Sequence, residues 1–424
     1  MSTNQPHPLG PLRILERVAP SASGLTDLPL EIARALEKLA LPVGTLRDKR
    51  IAVAVGSRGI AAIDILAREL CHWLKSHGAR PFVFPAMGSH GGATAEGQQK
   101  ILIQYGITAD FLGADLLSSM ETVSLGTTPE GFQVFMDRLA WEADGVVLLN
   151  RVKPHTDFSG KIESGLLKMI AVGMGKAEGA LECHHWSWKF GFEKVIRAMS
   201  AKVLASGKIL AGMAVVENEF HQVAVLRAAA AAGIAAMEEA CLEVARPLVA
   251  RVPFPMLDLL IVDELGKNIS GTGMDTKIVG RGVELHPGEA PQIRLIYVRD
   301  VTPESCGNAL GVGLADAIHE RLYRKIDMQK MYANARTSMN PPMPRIPIYF
   351  PCDQQALAWL LGALGSPEPA EQRTAWIRNT LNLNRIAVSE LLARDAATLT
   401  GWRFLAEPFA PAFDTAEDIS TSPF

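Results

Sequence analysis

This 424-residue chain has little that would point to a macromolecular partner. Its five cysteines are scattered without a CxxC pair, which argues against a disulfide framework and against a thiolate zinc site. The 42 basic and 45 acidic residues leave a formal net charge of −3, so there is no basic excess to favour nucleic acid. The longest near-apolar run, residues 228–237, is far shorter than the roughly 20 residues that a membrane span needs. We therefore expect neither nucleic acid nor a membrane as a partner.

The first 20 residues lack the charged and then apolar order of a signal peptide, so we expect the protein to be cytoplasmic. The chain is long enough for two domains, each with its own core. We place the first domain at residues 1–252 and the second at residues 253–400. The tail, residues 401–424, is expected to pack back on the first domain.

A local pattern of strand, glycine-bearing turn and helix repeats in the first half of the chain. Residues 51–55, 81–87 and 145–149 are typical of buried strands. This repeat indicates a parallel α/β sheet, whose ligands bind beyond the carboxyl ends of the strands. Because Arg58, His90 and His155 each follow one of these strands, we expect them along one edge of one sheet.

The second half shows the same kind of alternation, and we predict an α/β fold with two α/β domains and mainly parallel sheets. The alanine-rich residues 226–250 are predicted to be helical. In the second domain the predicted strands are 256–262, 292–298, 346–350 and 385–388, and the predicted helices are 313–331, 356–364 and 374–383.

Residues 149–185 hold most of the reactive side chains. His155, Lys168 and the pair His184–His185 stand out there. An imidazole is a metal ligand or a proton shuttle near neutral pH, and a lysine amine can form a covalent bond. The two adjacent histidines cannot share a role, because neighbouring side chains on a helix point about 100° apart. The plainer alternative for them is a chance pair at a helix end.

Two glycine-rich segments also have a plain and a functional interpretation. Residues 56–59 are either a mere connection or a helix start that binds an anion through backbone N–H groups, and Arg58 favours the anion site. Residues 173–176 are not a phosphate loop, because Ile170 stands where that motif needs glycine and Ala177 where it needs serine or threonine.

In this order and spacing, the motifs resemble those of the nickel-pincer lactate racemase family, which includes 2-hydroxyacid racemases and epimerases. The family's acidic-x-Thr-Arg segment corresponds to residues 55–58, where Ser57 and Arg58 keep the hydroxyl and the guanidinium but the acid is lost. Its Gly-x-His turn matches residues 88–90. Its second histidine and the following Ser-Gly-Gly-x-Lys turn match His155 and residues 164–168, with three extra residues between them. The family's nickel ligand is a histidine sixteen residues after the lysine. It corresponds here to His184, with His185 as the alternative.

The resemblance implies a racemase or epimerase of a 2-hydroxy acid that works by reversible hydride transfer. The implied cofactor is a nickel(II) pincer pyridinium-bis-thiocarboxylate mononucleotide, covalently attached to Lys168, with nickel bound by His184 or His185. His90 and His155 would act as acid and base on opposite faces of the substrate. The cofactor-binding residues implied by the motifs are Gly56, Ser57, Arg58, Ser164, Gly165 and Lys168.

The resemblance also implies the cofactor biosynthesis proteins as partners, and it leaves homo-oligomerisation open. We expect the active site in the cleft between the two domains, because strand-end residues need a lid that excludes water around a hydride.

The substrate segment is where this chain departs most from the family. The family's Ser-Gly-Tyr-Pro run, with the Tyr-Gln and lysine that follow, corresponds here to residues 270–281, which lack the aromatic and amide positions. Lys277 and Arg281 add positive charge there, and Arg58 would hold a substrate carboxylate or a cofactor phosphate. We therefore predict a hydroxy acid that is larger or more anionic than lactate. The alternative is that Lys277 and Arg281 are solvated surface charges.

Two other classes of function stay open. One is an oxidoreductase that uses a diffusible nicotinamide cofactor at the same sheet edge. This class is weakly supported, because neither glycine turn matches G-x-G-x-x-G. The other is a noncatalytic small-anion binding protein built on two α/β domains, which needs neither Lys168 nor His184.

Overall fold

The computed structural model describes residues 9–39, 44, 46–56, 59–282, 291–405 and 407–424. The chain divides into two compact units. The N-terminal unit comprises the described residues of Ser21–His155 and Ser159–Val249. The C-terminal unit comprises those of Met1–Pro20, Thr156–Phe158 and Ala250–Phe424.

The strands of the described residues are short and spread along the whole chain. In chain order they are β1 (Leu12–Arg17), β2 (Arg50–Val55), β3 (Arg80–Pro85), β4 (Asp115–Leu116), β5 (Thr122–Thr127), β6 (Gln133–Asp137), β7 (Gly145–Arg151), β8 (Ile209–Glu217), β9 (Val223–Ala230), β10 (Met256–Leu265), β11 (Gln292–Val301), β12 (Ala317–His319), β13 (Ile348–Phe350), β14 (Thr374–Ile377), β15 (Arg385–Ser389) and β16 (Trp402–Phe404).

The helices alternate with these strands. They are α1 (Leu28–Glu37), α2 (Ile63–Ser76), α3 (Ala95–Gln104), α4 (Ala109–Leu112), α5 (Arg138–Glu142), α6 (Leu166–Lys168), α7 (Lys176–Phe190), α8 (Phe192–Ala205), α9 (Ile234–Ala245), α10 (Thr276–Val279), α11 (Glu320–Lys325), α12 (Met328–Thr337), α13 (Asp353–Ala363) and α14 (Glu390–Ala396). A π-helical turn, Met169–Gly173, continues directly from α6. Within the described residues, no helix has both the length and the apolar character to cross a bilayer.

The N-terminal unit is built on one sheet with the strand order β4-β3-β2-β7-β8-β9 among the described residues. All neighbouring strands are parallel except β8 and β9, which are antiparallel. The central strand β2 is buried on both faces, as its uninterrupted apolar run requires. Its residues Ile51, Val53 and Val55 share a core with α1 and α2. The predicted strands at 51–55, 81–87 and 145–149 are confirmed as β2, β3 and β7, and so is the predicted α/β class.

The C-terminal unit is built on a mixed sheet with the order β13-β12-β11-β10-β14-β15-β1-β16 within the described part of the chain. The pairs from β13 through β14 are parallel, and those from β14 through β16 are antiparallel. Along β10, Leu260 and Val262 pack into one core, whereas Leu259 and Ile261 pack into another. Both faces of the sheet are therefore covered, because neighbouring side chains of a strand point to opposite faces.

Of the predicted helices, the one at 374–383 is wrong, and those at 313–331 and 226–250 are helical only in part. Residues 313–331 contain strand β12 and two separate short helices, and the Asp327 side chain accepts from Lys330 N at 3.1 Å to start the second of them. Residues 374–383 begin as the buried strand β14 and end in a turn closed by the Asn379 side chain. Residues 226–230 extend β9, which pairs with β8, before α9 begins. In each case pairing with a neighbouring strand outweighs helix propensity, which is a weak preference.

The expected packing of the tail on the first domain is also wrong. Strand β16 pairs with β1, and both lie in the C-terminal unit. Farther along, Phe409 exchanges two backbone hydrogen bonds with Leu12, each 2.8 Å long. The Phe424 ring packs edge-on against buried Trp376. The second unit resumes at Ala250, and the tail and the described residues 9–20 complete it.

Candidate functional site

The carboxyl ends of β3, β2 and β7 lie side by side in the N-terminal sheet. The turn with His90 follows β3, Gly56 follows β2, and His155 follows β7. The expectation that these segments share one sheet edge is confirmed for the described residues. Since β2 is the middle strand, the His90 turn and the His155 loop lie on either side of the Gly56 turn. Ser57 and Arg58 lie outside the described residues, so their anion contacts stay predictions.

Asn150, the sixth residue of β7, links two of the predicted glycine turns. Its Nδ2 donates to the Gly165 carbonyl oxygen at 2.8 Å, and the rest of its side chain lies against Gly56. None of the sequence motifs includes this residue. The available signal was a polar side chain at the end of the apolar run of β7, next to the strand end where ligands bind.

The segment with Lys168 is held by a buried carboxyl group from a distant helix. Glu238 of α9 is fully buried, and one of its oxygens accepts from Leu167 N at 2.7 Å. A side chain at Gly165 would collide with this carboxyl group, so glycine is needed there for the close approach. Burial raises the pKa of Glu238 to about 7. Glu238 therefore fixes the start of α6, at whose end Lys168 stands.

The loop with His155 is closed at its base and held from inside. Lys153 and Ser164 exchange two backbone hydrogen bonds of 2.9 and 3.2 Å. The fully buried Glu163 accepts from His155 N at 2.5 Å and forms an ion pair of 3.0 Å with Arg246. Arg246 in turn donates to the Gly160 carbonyl oxygen at 2.6 Å. The extra residues expected between His155 and Lys168 thus form an ordered loop.

Three of the predicted site residues come together around Phe192, at the start of α8. The His155 ring stacks on the Phe192 ring at a centroid distance of 6.3 Å and an interplanar angle of 30°. The His184 ring meets the same phenyl ring edge-on at 5.6 Å and 84°. Lys168 Nζ contacts His155 Nε2. An amine therefore contacts one of two imidazoles that pack against the same phenyl ring.

His184 and His185 differ sharply in their surroundings. His184 Nδ1 is buried and has no hydrogen-bond partner among the described residues. Burial, assisted by the positive charge of Lys168, lowers the pKa of His184 to about 4, so its imidazole is neutral at pH 7. His185 is exposed and packs edge-on against Trp186. A metal ligand must be a deprotonated nitrogen with a free lone pair, and the properties of His184 meet that requirement.

His90 lies in a turn of unusual backbone. It is half-buried and directly precedes the short 3₁₀ turn Gly91–Ala93. Gly88 and Gly91, on either side, have φ angles of 60° and 63°, in the left-handed region that favours glycine. The His90 amide donates to the Met87 carbonyl oxygen at 3.2 Å, and the Gln98 side chain donates to the carbonyl oxygens of Gly88 and His90.

The two predicted substrate-binding residues of the second domain lie in the C-terminal unit. Lys277 is the second residue of α10, a helix capped by the Asp275 side chain. Arg281 is tied into its own unit: Nη2 pairs with Asp316 at 2.6 Å, and Nη1 donates to the Leu314 carbonyl oxygen at 2.9 Å. This arrangement favours a structural role for Arg281 over the predicted substrate contact.

A second cluster of metal-ligand types lies in the C-terminal unit. Ligand atoms of His319, Asp353 and Asp418 all lie within 4.8 Å of one another. His319 Nε2 is already bonded to Asp418 at 2.7 Å, and Arg299 binds Asp353 at 2.8 Å. Arg321 contacts both carboxylates. The two guanidinium groups supply the positive charge that a metal ion would bring. The cluster is therefore an ion-pair network, and it links the tail to the sheet.

Residues 31–189 match the family model described as the lactate racemase N-terminal domain. Among solved structures, the chain is similar to the lactate racemase apoprotein from Thermoanaerobacterium thermosaccharolyticum, with 16% sequence identity and a TM-score of 0.47 over 86% of this chain and 85% of that one. It is also similar to a protein from Thermotoga maritima, with 18% identity and a TM-score of 0.48 over 65% of this chain and 72% of that one. No curated protein matches the chain. The matched segment contains His90, His155, Lys168 and His184, so the resemblance noted from the motifs is confirmed for this domain.

Proposed function

Because this chain is lactate racemase-like over residues 31–189, we propose that it is an isomerase that racemises or epimerises a small 2-hydroxy acid. The observation that carries the proposal is the grouping of His155, Lys168 and His184 around Phe192 within the matched segment. A noncatalytic anion-binding protein has no use for a buried neutral imidazole beside a lysine amine.

The residues present fit a nickel-pincer cofactor. The buried and unpartnered Nδ1 of His184 would hold the nickel, and Lys168 would form the covalent attachment. The cofactor would rest on the turns at the sheet edge, which contain Gly56, Ser164 and Gly165. When bound, a cofactor of this class accepts and returns the hydrogen on the hydroxyl-bearing carbon as hydride.

The protein's own part in the reaction is proton transfer on two sides of the substrate. One histidine would take the proton of the 2-hydroxyl group as the substrate becomes a flat keto acid. The histidine on the other side would return a proton to the carbonyl oxygen when the carbon regains its hydrogen on the opposite face. His90 and His155 suit these roles because their segments flank the Gly56 turn. Neither histidine is needed to hold the metal if His184 does so. Phe192 covers one side of both His155 and His184 and keeps water from that wall.

We propose a substrate that is larger or more anionic than lactate. Residues 270–281 lack the aromatic and amide positions of the family, and Lys277 offers positive charge in their place. Arg58 stays the predicted partner of a carboxylate or phosphate. Arg281 is left out of the substrate site because Asp316 and backbone carbonyl groups occupy its guanidinium. The position of the site between two domains stays a prediction.

The test is to co-express the chain with the cofactor biosynthesis proteins and to record a native mass spectrum. We expect nickel and a covalent adduct on the wild type, and no adduct on Lys168→Ala, which should keep its circular dichroism spectrum. Chiral chromatography of a panel of 2-hydroxy acids, including sugar acids and dicarboxylates, then identifies the substrate. An adduct that persists in Lys168→Ala would contradict the assignment, and turnover with a freely dissociating nicotinamide nucleotide would favour the oxidoreductase.

A further inference from the structure

The turn that carries His90 is held from behind by three buried polar side chains. They come from separate elements: Gln98 from α3, Asp137 from the end of β6, and Lys176 from the first residue of α7. All three side chains are fully buried. None was singled out as a site residue by the sequence motifs, because every pair of the three positions is 39 or more residues apart.

The contacts form one continuous chain from a carboxylate to the turn. Asp137 Oδ2 lies 3.0 Å from Lys176 Nζ, which donates to Gln98 Oε1 at 2.9 Å. Gln98 Nε2 donates to the Gly88 carbonyl oxygen at 2.7 Å and to the His90 carbonyl oxygen at 3.3 Å. Lys176 Nζ also donates to the carbonyl oxygen of Pro85, the last residue of β3.

The ammonium group determines which way the Gln98 amide points. A lysine ammonium can only donate hydrogen bonds, so the amide oxygen must face Lys176. The two N–H donors of Gln98 must then face the carbonyl oxygens of the turn. The carbonyl oxygens of the turn can only accept, so the contacts on both sides of the amide favour the same orientation.

Stability alone is a poor reason for this arrangement. Burial raises the pKa of Asp137 and lowers the pKa of Lys176, which shows that both charges are expensive to keep in the interior. A buried ion pair often contributes no more to stability than an apolar replacement. Lys176 also has a φ angle of 53°, a strained value for a residue other than glycine. Such strain is typical of functional segments.

We propose that Gln98 and Lys176 are positioning residues for His90: together they fix the backbone of residues 88–90 and with it the direction of the His90 imidazole. The inference rests on the proposed function in one respect, that His90 is one of the two acid/base groups. The turn needs such support because two glycines flank it in the left-handed conformation and give it little rigidity of their own.

The decisive variant is Gln98→Glu. The new carboxylate keeps an acceptor for Lys176, so the buried charge of the lysine stays paired, but it replaces both N–H donors to the turn. The matched control is Gln99→Glu, on the same helix, where the amide makes one long bond of 3.4 Å to the Leu116 carbonyl oxygen.

Two readouts separate positioning from mere stability. In the apoprotein, with imidazoles labelled with ¹³C, Gln98→Glu should shift the His90 resonance and its titration curve while those of His155 stay in place. In the loaded enzyme, kcat should fall by roughly tenfold to 100-fold, as expected for a misplaced catalytic group, with little change in KM, nickel content or adduct mass. Gln99→Glu should resemble the wild type in both.

The proposal is overturned if Gln98→Glu leaves the His90 resonance where it is in the wild type and in Gln99→Glu. It is equally overturned if kcat of the loaded variant equals that of the wild type. A wild type that carries no adduct and racemises nothing defeats the proposed function instead, and the apoprotein spectra still decide whether Gln98 positions His90.

Discussion

The two histidine-bearing segments of the N-terminal unit are stabilised by opposite means. The His90 turn is held by its carbonyl oxygens, which accept from the neutral amide of Gln98. The His155 loop is held by its amides, which donate to the carboxylate of Glu163. At the His90 turn the charged group is Lys176, which binds Gln98 and not the turn. At the His155 loop the charged group is Glu163, which binds the loop directly and is paired with Arg246.

A direct charged contact and an indirect one differ in how much stability the protein loses when a partner is removed. Glu163 is paired with Arg246, whose side chain keeps 26% of its surface exposed, so water can compensate part of any loss on the arginine side. Lys176 and Asp137 are both fully buried, and neither can recover solvation if its partner is lost. Loss of Lys176 or Asp137 should therefore lower stability, whereas Gln98→Glu, which keeps the lysine paired, should act through the geometry of the His90 turn. Mutations behind His155 should act through loop stability.

The largest effect should come from the histidines themselves. His90→Ala and His155→Ala should each lower racemisation in both directions by about 10²–10⁴-fold, because the reaction needs the two groups in series. Both variants should keep nickel and the lysine adduct, and each should still be able to oxidise one enantiomer partway. Stopped-flow absorbance of the bound cofactor with single enantiomers measures this. Near-normal racemisation by either variant would show that its histidine is not one of the pair.

A pH effect is expected at Glu238, whose fully buried carboxyl group accepts a backbone amide. The pKa of Glu238 is about 7 in the fold against an ordinary value of 4.5. Below pH 4.5 the group is protonated in both states; between pH 4.5 and 7 only the unfolded chain ionises. Stability should therefore fall as pH rises through this window and level off above it, by up to roughly 3 kcal/mol in total.

Urea unfolding of the wild type and Glu238→Gln at pH 5 and pH 8 tests this. The variant has no group to ionise at this position, so its stability relative to the wild type should improve at the higher pH. A constant difference between the two proteins at both pH values would show that Glu238 does not titrate in this window.

The Glu163→Gln substitution should destabilise the protein by about 1–3 kcal/mol. The amide would turn one N–H donor toward groups that are themselves donors, at His155 N or Arg246. Chemical denaturation measures the change, and Glu239→Gln, which loses a half-exposed ion pair to Arg197, serves as the control with an expected effect below about 1 kcal/mol. Equal decreases in the free energy of unfolding of the two variants would mean that the buried contact of Glu163 contributes no more to stability than an exposed ion pair.

The smallest effect is expected at His185. His185→Ala should retain nickel, adduct and activity, because this side chain is exposed and points away from the group around Phe192. His184→Ala should lose the metal while keeping the Lys168 adduct. Elemental analysis by plasma mass spectrometry checks both, and loss of nickel in His185→Ala alone would reverse the assignment.

The strand ends of the first domain could be predicted from local sequence alone. The apolar runs of β2, β3 and β7 are local signals, and so are the turns that end them, because hydrophobic periodicity and glycine conformation act over a few residues. The same local order, from His155 through Lys168 to His184, was sufficient to identify the family resemblance. Chain order also carries the prediction that His184 rather than His185 is the metal ligand, and the surroundings of the two residues now favour it.

Long-range contacts, which local sequence does not reveal, select the strands of the second half and hold the site residues in place. Residues 374–377 carry no pattern that excludes a helix, and they form β14 because β10 and β15 offer backbone partners on both sides. Gln98, Lys176 and Glu238 look like ordinary helix residues in the sequence. They matter through contacts with residues 10 to 91 positions away, since a buried polar group is stable only where the fold brings it a partner.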